Sequence, residues 1–349
     1  MKRALPFTSP NLLAPMEGVT EPSFRERVLE RNGPEALGGT FTEFARVVRD
    51  ALPRRVLRGH LGEVRFPQPV GLQLMGSDAD SLAQTAVRAV EVGAPLIDLN
   101  FGCPAKGALR GCAGAALLDD PARVEELVSV LRRAIGDKVP LSAKIRAGGE
   151  DDALVEDLAR AVEAGGADLL TVHARTRREG YAAPADWQRL ERAVQSVSIP
   201  VCGNGGIEVH GDFERLRRET GCAFAMVGRG ALGNPWIFRG GEVSRAEAAE
   251  FLVDYARGLM ETQGSRLEGA MRRVKQLFQH WKAGGLMGRA QGQDRASWLR
   301  EGDPEVLMRR LVEASGPAGI RGIERIGGNF GKPSLVQGPA QLGRGQVIS

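Results

Sequence analysis

Eight short apolar segments recur through the first 230 residues of the chain, and stretches with helical periodicity separate most of them. Strands that alternate with helices form parallel sheets, and eight such units fit a closed barrel better than an open sheet. The sequence therefore predicts an α/β fold, a (β/α)8 TIM barrel. The predicted strands are 12–14, 40–44, 70–74, 96–99, 141–145, 169–172, 199–202 and 223–227. Helical patterns cover 81–92, 122–135, 154–164 and 213–219, and Pro53 interrupts a further pattern at 47–58.

The carboxyl ends of the predicted strands are rich in polar and small residues. In barrels of this type the active site lies at these ends, so residues at or just past each strand are candidates for chemistry. They are Pro15, Met16, Glu17, Glu43, Arg46, Gln73, Asn100, Cys103, Lys144, Arg146, His173, Arg175, Asn204, Gly205, Gly206, Gly228 and Arg229.

The rest of the 349-residue chain is organised differently. The strand and helix rhythm stops after Arg239, and a helical pattern follows, with Ser244 as its N-cap. We expect a barrel domain over 1–240, a small C-terminal helical domain over 241–315 and a disordered tail over 316–349. The tail carries nine glycines, three prolines and four basic residues.

The helical domain contains a concentration of positive charge. Seven basic residues and a single acidic one, Asp294, lie between positions 272 and 300. A helix predicted over 267–282 places Arg272, Lys275 and Lys282 along one face, opposite an apolar face. Such a stripe on an isolated helix is typical of simple solvation, but the scarcity of acids favours a polyanionic partner.

Two glycine-rich loops indicate a phosphate site. Gly203-Asn204-Gly205-Gly206 follows the seventh strand and Gly228-Arg229-Gly230 the eighth, the two places where barrels usually hold phosphate. Glycine lets backbone N–H groups approach the oxygens, and Arg229 can add a charged hydrogen bond. The sequence has no P-loop motif, and these two loops at the end of a barrel fit a mononucleotide cofactor better than a dinucleotide fold.

Three strand-end residues suit flavin chemistry. Lys144 follows a strand that faces the barrel interior, where an ammonium needs a partner such as the anionic edge of a reduced flavin. Gln73 and His173 supply neutral hydrogen bonds, although a histidine taken singly is as often structural. Cys103 lies between Gly102 and Pro104 and can donate a proton, although an unpaired cysteine is usually a small buried residue.

Composition excludes several other classes. No apolar stretch reaches the roughly 20 residues of a membrane span, and no apolar signal region precedes the first strand, so a cytoplasmic protein is expected. Four cysteines and four histidines show no zinc-site spacing, which predicts no metal. The net charge of +4 is small, and we expect a monomer.

Taken together, these segments resemble the tRNA-dihydrouridine synthases, flavoenzymes with an FMN-binding barrel and a helical RNA-binding domain. The likeness covers about residues 10–315, and its details are most similar to subfamily C, which acts on the uridine at position 16 of tRNA. The segments that carry it are APMEGVT at 14–20, TEFARVV at 42–48, GLQLMG at 71–76, DLNFGCPAK at 98–106, AKIR at 143–146, VHART at 172–176, GNGGI at 203–207 and GRGALGNP at 228–235.

The resemblance implies a reaction in which NADPH reduces FMN and the flavin N5 then gives hydride to C6 of a uridine. Cys103 matches the family's acid and would protonate C5. The matching FMN contacts are Pro15, Met16, Glu17, Gln73, Lys144, His173, Asn204, Gly205, Gly206, Gly228 and Arg229. The matching tRNA contacts are Arg46, Asn100, Tyr181, Arg273 and Lys275.

Two other interpretations stay open from the sequence alone. An FMN pyrimidine enzyme similar to dihydroorotate dehydrogenase would share the barrel, but it would not need the basic helical domain. An RNA-binding flavoprotein that has lost its chemistry would not need Cys103 and Lys144. The chain also departs from subfamily C in the loop at 107–112 and in Asn204-Gly205-Gly206, where N-G-E is expected.

Overall fold

The computed structural model describes residues 3–288 and 295–316, and its core is a closed parallel barrel. Strand β1 pairs with β9 on one side and with β2 on the other, and β2 pairs with β4, so the sheet closes on itself. This confirms the predicted (β/α)8 barrel. The strands are β1 (Asn11–Leu13), β2 (Gly39–Phe41), β3 (Ala45–Arg46), β4 (Val70–Met75), β5 (Ile97–Asn100), β6 (Leu141–Arg146), β7 (Leu169–His173), β8 (Val201–Asn204) and β9 (Phe224–Val227).

The second barrel strand differs from its prediction. The predicted strand 40–44 is observed only as β2, which ends at Phe41. The two-residue β3 lies just beyond the predicted segment and continues the pairing with β4 through Ala45 and Leu74. The predicted strand 199–202 begins later, at Val201, because Pro200 has no N–H to donate to a ladder. Pro53 does end the pattern that begins at residue 47, and a helix starts directly after it.

The helices around the barrel follow the local signals in the sequence. Asp78 and Asp120 each accept a hydrogen bond from a backbone N–H in the first turn of a helix, which fixes where that helix begins. The helices are α1 (Pro22–Arg31), α2 (Arg54–Leu61), α3 (Ala79–Glu91), α4 (Lys106–Arg110), α5 (Pro121–Ile135), α6 (Val155–Ala164), α7 (Gln188–Ser196), α8 (Gly211–Thr220) and α9 (Arg229–Gly233), with a 3₁₀ helix at Gly114–Asp119.

The amino-terminal end of the barrel is plugged by the segment before β1. The ring of Phe7 packs on Phe41 and Phe224, with centroids 5.9 and 5.5 Å apart. Asp168 beside it accepts hydrogen bonds from Arg3 and Arg132. A ligand therefore enters the barrel from its carboxyl end.

The C-terminal helices pack directly on the barrel. Ser244 caps the first of them with a capping box, as the sequence predicts, and Phe24 of α1 makes edge contacts with Phe251 and Tyr255. One apolar core runs through both regions, so the division at residue 240 stays a prediction. These helices are α10 (Arg245–Gln263), α11 (Leu267–Phe278), α12 (Arg295–Arg300) and α13 (Pro304–Ser315), with a 3₁₀ helix at Ala283–Gly285.

Some predictions fall outside the described residues. The proposed tail beyond Gly316 lies there, as do Arg289 and Asp294 of the basic segment. The helix expected over 267–282 ends four residues early, at Phe278. Within the described ranges, no helix is both long enough and apolar enough to cross a membrane.

Candidate active site

A cavity of about 860 Å³ opens at the carboxyl ends of the barrel strands. This is the size range of a small-molecule or cofactor pocket. Its wall comes from the loops after β1, β5, β6, β7, β8 and β9 and from residues that follow α11. Of the residues selected from the sequence, those in the wall are Pro15, Met16, Glu17, Asn100, Cys103, Lys144, His173, Tyr181, Asn204, Gly205, Gly206, Gly228 and Arg229.

The glycine loop after β8 forms one end of this cavity. Gly205 and Gly206 have φ values of +107° and +81°, a backbone conformation that side chains other than glycine rarely adopt. A Cβ on Gly205 would lie 3.4 Å from Nη1 of Arg175 and 3.6 Å from Nε2 of His173. The loop thus keeps a bare backbone facing an arginine and a histidine, which suits a phosphate or another anion.

Positive charge dominates the interior of the cavity. Arg146 and Arg175 are buried and Lys144 is half-buried in its wall. The two carboxylates in the wall, Glu17 and Glu208, are exposed at the rim. An anionic ligand would therefore replace the solvation that these cations lose on burial.

Burial also sets the protonation of two groups here. It lowers the pKa of Lys144 to about 8, with a further decrease from Arg146 and an opposing effect of Asp98. It lowers the pKa of His173 well below its usual value, and the nearby cations add to the shift. His173 is therefore neutral at pH 7 and offers one N–H donor and one acceptor nitrogen.

Cys103 lies in the loop after β5, with its thiol half-buried in the cavity wall. Backbone N–H groups of Gly102 and Cys103 both donate to Oδ1 of Asn100 at 2.9 Å. Nε of Arg146 donates to the carbonyl of Gly102 at 2.8 Å, which holds the loop from the other side. Burial raises the pKa of the Cys103 thiol, so it carries its proton at neutral pH and can act as an acid.

Tyr181 stands at the mouth of the cavity and is 55% exposed. The guanidinium groups of Arg146 and Arg229 each lie 5.0 Å from its ring centroid, and the ring meets His173 edge-on at 6.0 Å. Nη1 of Arg229 also donates to the Tyr181 carbonyl at 3.3 Å. An aromatic face framed by two cations suits a planar, negatively charged substrate such as a nucleotide.

Four of the residues with a predicted role lie outside the cavity wall, as does the strand-end candidate Glu43. Gln73 is fully buried behind it, and exposed Arg46 donates to the carbonyl of Gly107 at 2.8 Å. Arg273 donates to the carbonyl of Gly18 in the loop after β1. Nζ of Lys275 donates to the carbonyl of Leu299 at 3.0 Å and to that of Glu301. The roles assigned to these four residues stay predictions.

Part of the wall comes from residues that had no predicted role. Arg146 and Arg175 stood among the strand-end candidates without a function. Gln279, His280, Lys282 and Arg295 reach the cavity from the C-terminal region, which a rule based on strand ends does not cover. The basic face predicted for 267–282 was the available signal, since it contains Gln279 and Lys282. Among the described residues, no group of histidine, cysteine and acidic side chains could hold a metal ion.

Comparison with known proteins identifies the family. The family model described as dihydrouridine synthase (Dus) matches residues 12–303. A tRNA-dihydrouridine(16) synthase of Cupriavidus necator is 39% identical over 64% of this chain and 71% of its own length. Enzymes of the same name from Pseudomonas syringae pv. tomato and Shewanella oneidensis are 38% and 36% identical, over 69% and 77% of this chain and 76% and 87% of their own lengths.

Likeness to solved structures is more remote. Histamine dehydrogenase from Rhizobium sp. 4-9 matches with a TM-score of 0.49 and 15% identity, over 71% of this chain and 48% of that one. The family assignment depends on the sequence matches alone.

Proposed function

The chain belongs to the dihydrouridine synthase family and is an oxidoreductase, and from this premise we propose that it reduces a uridine of the tRNA D-loop to 5,6-dihydrouridine. We propose FMN as the resident cofactor, NADPH as the reductant and position 16 as the target. The choice of position follows the names of the relatives that match over most of their length. The observation that carries the proposal is a protonated thiol, Cys103, in a cavity lined by cations.

The residues of the cavity fit an FMN. Gly205 and Gly206 present bare backbone to a phosphate, with Arg175 and Arg229 close by to balance its charge. Lys144 would face the flavin ring system. When bound, FMN supplies the hydride that the reaction needs.

In this proposal Cys103 supplies the proton that goes to C5 of the uracil ring. Its raised pKa keeps the proton on sulfur until the substrate develops charge at that carbon. Arg146 holds Gly102, and Asn100 holds the N–H groups of Gly102 and Cys103, so the thiol is fixed before the substrate arrives. Half-burial limits the access of water to the same proton.

The rim of the cavity supports a nucleic-acid substrate rather than a free pyrimidine. Lys282 and Arg295, which follow α11, are exposed in the cavity wall together with Arg229. A free pyrimidine carries no phosphate, so it would bring no anion to Lys282 and Arg295, whereas a flipped nucleotide brings its backbone past them. We therefore propose that residues 241–315 bind tRNA, with Arg46, Tyr181 and Arg273 as further predicted contacts.

A pair of cysteine variants tests the proposal. Cys103→Ala should leave a yellow protein that NADPH still reduces, while transfer to tRNA falls by about 100-fold or more, the usual contribution of an acid catalyst. Cys112→Ala is the matched control, because Cys112 is exposed and does not line the cavity. Loss of flavin from Cys103→Ala, or equal rates in the two variants, would contradict the assignment of Cys103.

A further inference from the structure

Behind the cavity wall lies a buried carboxylate that the proposed reaction does not use. Asp98 on β5 is 1% exposed and lies next to Asn100 on the same face of the strand. Its Oδ1 accepts from the hydroxyl of Ser142 at 2.5 Å, and its Oδ2 accepts from Nε2 of Gln73 at 2.7 Å.

The hydrogen bonds continue from Gln73 to the loop of the acid. Nδ2 of Asn100 donates to Oε1 of Gln73 at 2.7 Å. Oδ1 of Asn100 then accepts the two backbone N–H groups of Gly102 and Cys103. Three side chains thus form an unbroken path from a charge in the barrel interior to the backbone of Cys103.

The charge of Asp98 determines the direction of every bond on this path. An ionised carboxylate only accepts, so Gln73 must turn its NH2 group toward Asp98 and its oxygen toward Asn100. Asn100 must then donate to Gln73, which leaves its own oxygen for the loop. With the amides reversed, the NH2 group of Asn100 would face two N–H donors.

Asp98 is costly to bury, and none of its hydrogen-bond donors is a cation, although the ammonium of Lys144 acts on it from beyond ion-pair distance. Burial raises its pKa to about 6, which is still below 7, so the carboxyl is mostly ionised at neutral pH. Among the described residues two other aspartates are buried, and both form ion pairs, Asp168 with Arg3 and Arg132 and Asp212 with Arg215. Within the described part of the chain Asp98 makes no such ion pair, and its hydrogen-bond donors are neutral. A buried charge without an ion pair destabilises the fold, so its presence here indicates a functional role rather than simple packing.

We propose that Asp98 is a positioning residue, which fixes the loop of Cys103 through Gln73 and Asn100. The turnover measurement below rests on the proposed function, whereas the thiol measurement does not. Asp98 touches neither the cavity nor the thiol, and its hydrogen bonds reach the loop of Cys103 only through Gln73. Its charge also acts on Lys144, and Gln73→Met leaves that effect in place. Cutting the path at either residue should have the same consequence for the loop.

The test uses five variants of the full-length protein. Asp98→Ala removes the acceptor, Gln73→Met removes the link, and the double variant removes both. Asp98→Asn is the conservative variant, since its amide oxygen can face Gln73 while its NH2 group faces Ser142. Ser142→Ala is the matched control, because it removes the other bond to Asp98 and leaves the path intact. Each is assayed for kcat, KM for tRNA and flavin spectrum.

We expect Asp98→Ala and Gln73→Met each to lower kcat by about tenfold, with KM for tRNA within about threefold, because an unpaired buried donor misaligns the loop. The double variant should be no slower than Gln73→Met, since the path is already cut. Asp98→Asn and Ser142→Ala should both stay within about threefold of the parent. If Asp98→Ala fails to fold, Asp98→Ser replaces it, because serine is too short to reach Gln73.

Alkylation of Cys103 by iodoacetamide gives a second, substrate-free measurement, read by peptide mass so that Cys112 does not interfere. In flavin-free protein the rate at Cys103 should rise about threefold or more in Asp98→Ala and Gln73→Met, because a loosened loop exposes the thiol. Unchanged alkylation in these two variants, or additive losses of kcat in the double variant, would overturn the proposal. If the parent is inactive on tRNA but the alkylation pattern holds, the proposed function fails and the positioning role stands.

Discussion

Lys144 offers the most quantitative test of how the cavity is charged. Burial lowers the pKa of its ammonium from 10.5 to about 8, which corresponds to a cost of about 3 kcal/mol for the charged form in the folded protein. The folded-state pKa lies below the unfolded one. The penalty is therefore fully present below pH 8 and is relieved as the pH rises toward 10.5. An anionic ligand beside the ammonium would remove it at neutral pH.

Flavin affinity should therefore fall as the pH rises through 8. If FMN binds only the protonated lysine, the fraction able to bind drops about tenfold between pH 7 and pH 9, and Kd rises by the same factor. The charge of the FMN phosphate is nearly constant over this range because its second pKa is about 6. Fluorescence quenching of FMN by the flavin-free protein would give Kd at each pH.

Lys144→Met should remove this slope and should raise the thermal stability of the flavin-free protein at pH 7, since the buried charge is gone. Lys138→Met is the control, because Lys138 is exposed and does not line the cavity. Its slope and stability should match the parent. A parent Kd that does not change between pH 7 and 9, or an equal slope in Lys144→Met, would refute the reasoning.

Two further predictions separate structural from binding residues. Lys275→Met should lower Tm by about 2 °C, because its ammonium caps the carbonyls of Leu299 and Glu301. Lys282→Met should leave Tm unchanged and weaken tRNA binding about threefold at low salt. Equal effects of the two variants on tRNA affinity would contradict this division. Gly205→Ala should release flavin, because a φ of +107° strains alanine in the glycine loop. Gly221→Ala, at the left-handed end of α8, should lower only the stability of the protein. Flavin content and thermal melting of each variant measure the two effects.

The barrel could be predicted from sequence because its strands are buried on both sides and bounded by turn residues. The active site of such a barrel lies at the carboxyl ends of its strands, so the predicted strand ends also predict the position of the cavity. Lys144, His173 and Asn204, chosen on this basis, do lie in its wall. The split of β2 and β3 could not be predicted from apolar content, because Phe41 and Phe44 make the segment 40–44 resemble one continuous strand.

Side-chain partners were the less predictable part. Lys275 lies on a basic helix face that the sequence pattern predicts to be available to RNA. Its ammonium instead donates hydrogen bonds to backbone carbonyls at the end of a neighbouring helix. Gln73 lies at a strand end, but the alternation of side chains turns it inward to Asp98. Lys282 and Arg295 enter the cavity wall only because the C-terminal helices pack on the barrel, a long-range arrangement that local patterns do not encode.

The most direct test of the central claim is to map dihydrouridine in tRNA from cells with the gene intact, deleted, and restored as the parent or as the Cys103→Ala variant. We predict that deletion removes dihydrouridine at position 16, that the parent restores it and that the variant does not. Unchanged dihydrouridine at every D-loop position after deletion would contradict the proposed activity, and loss at another position would contradict the assignment of the target.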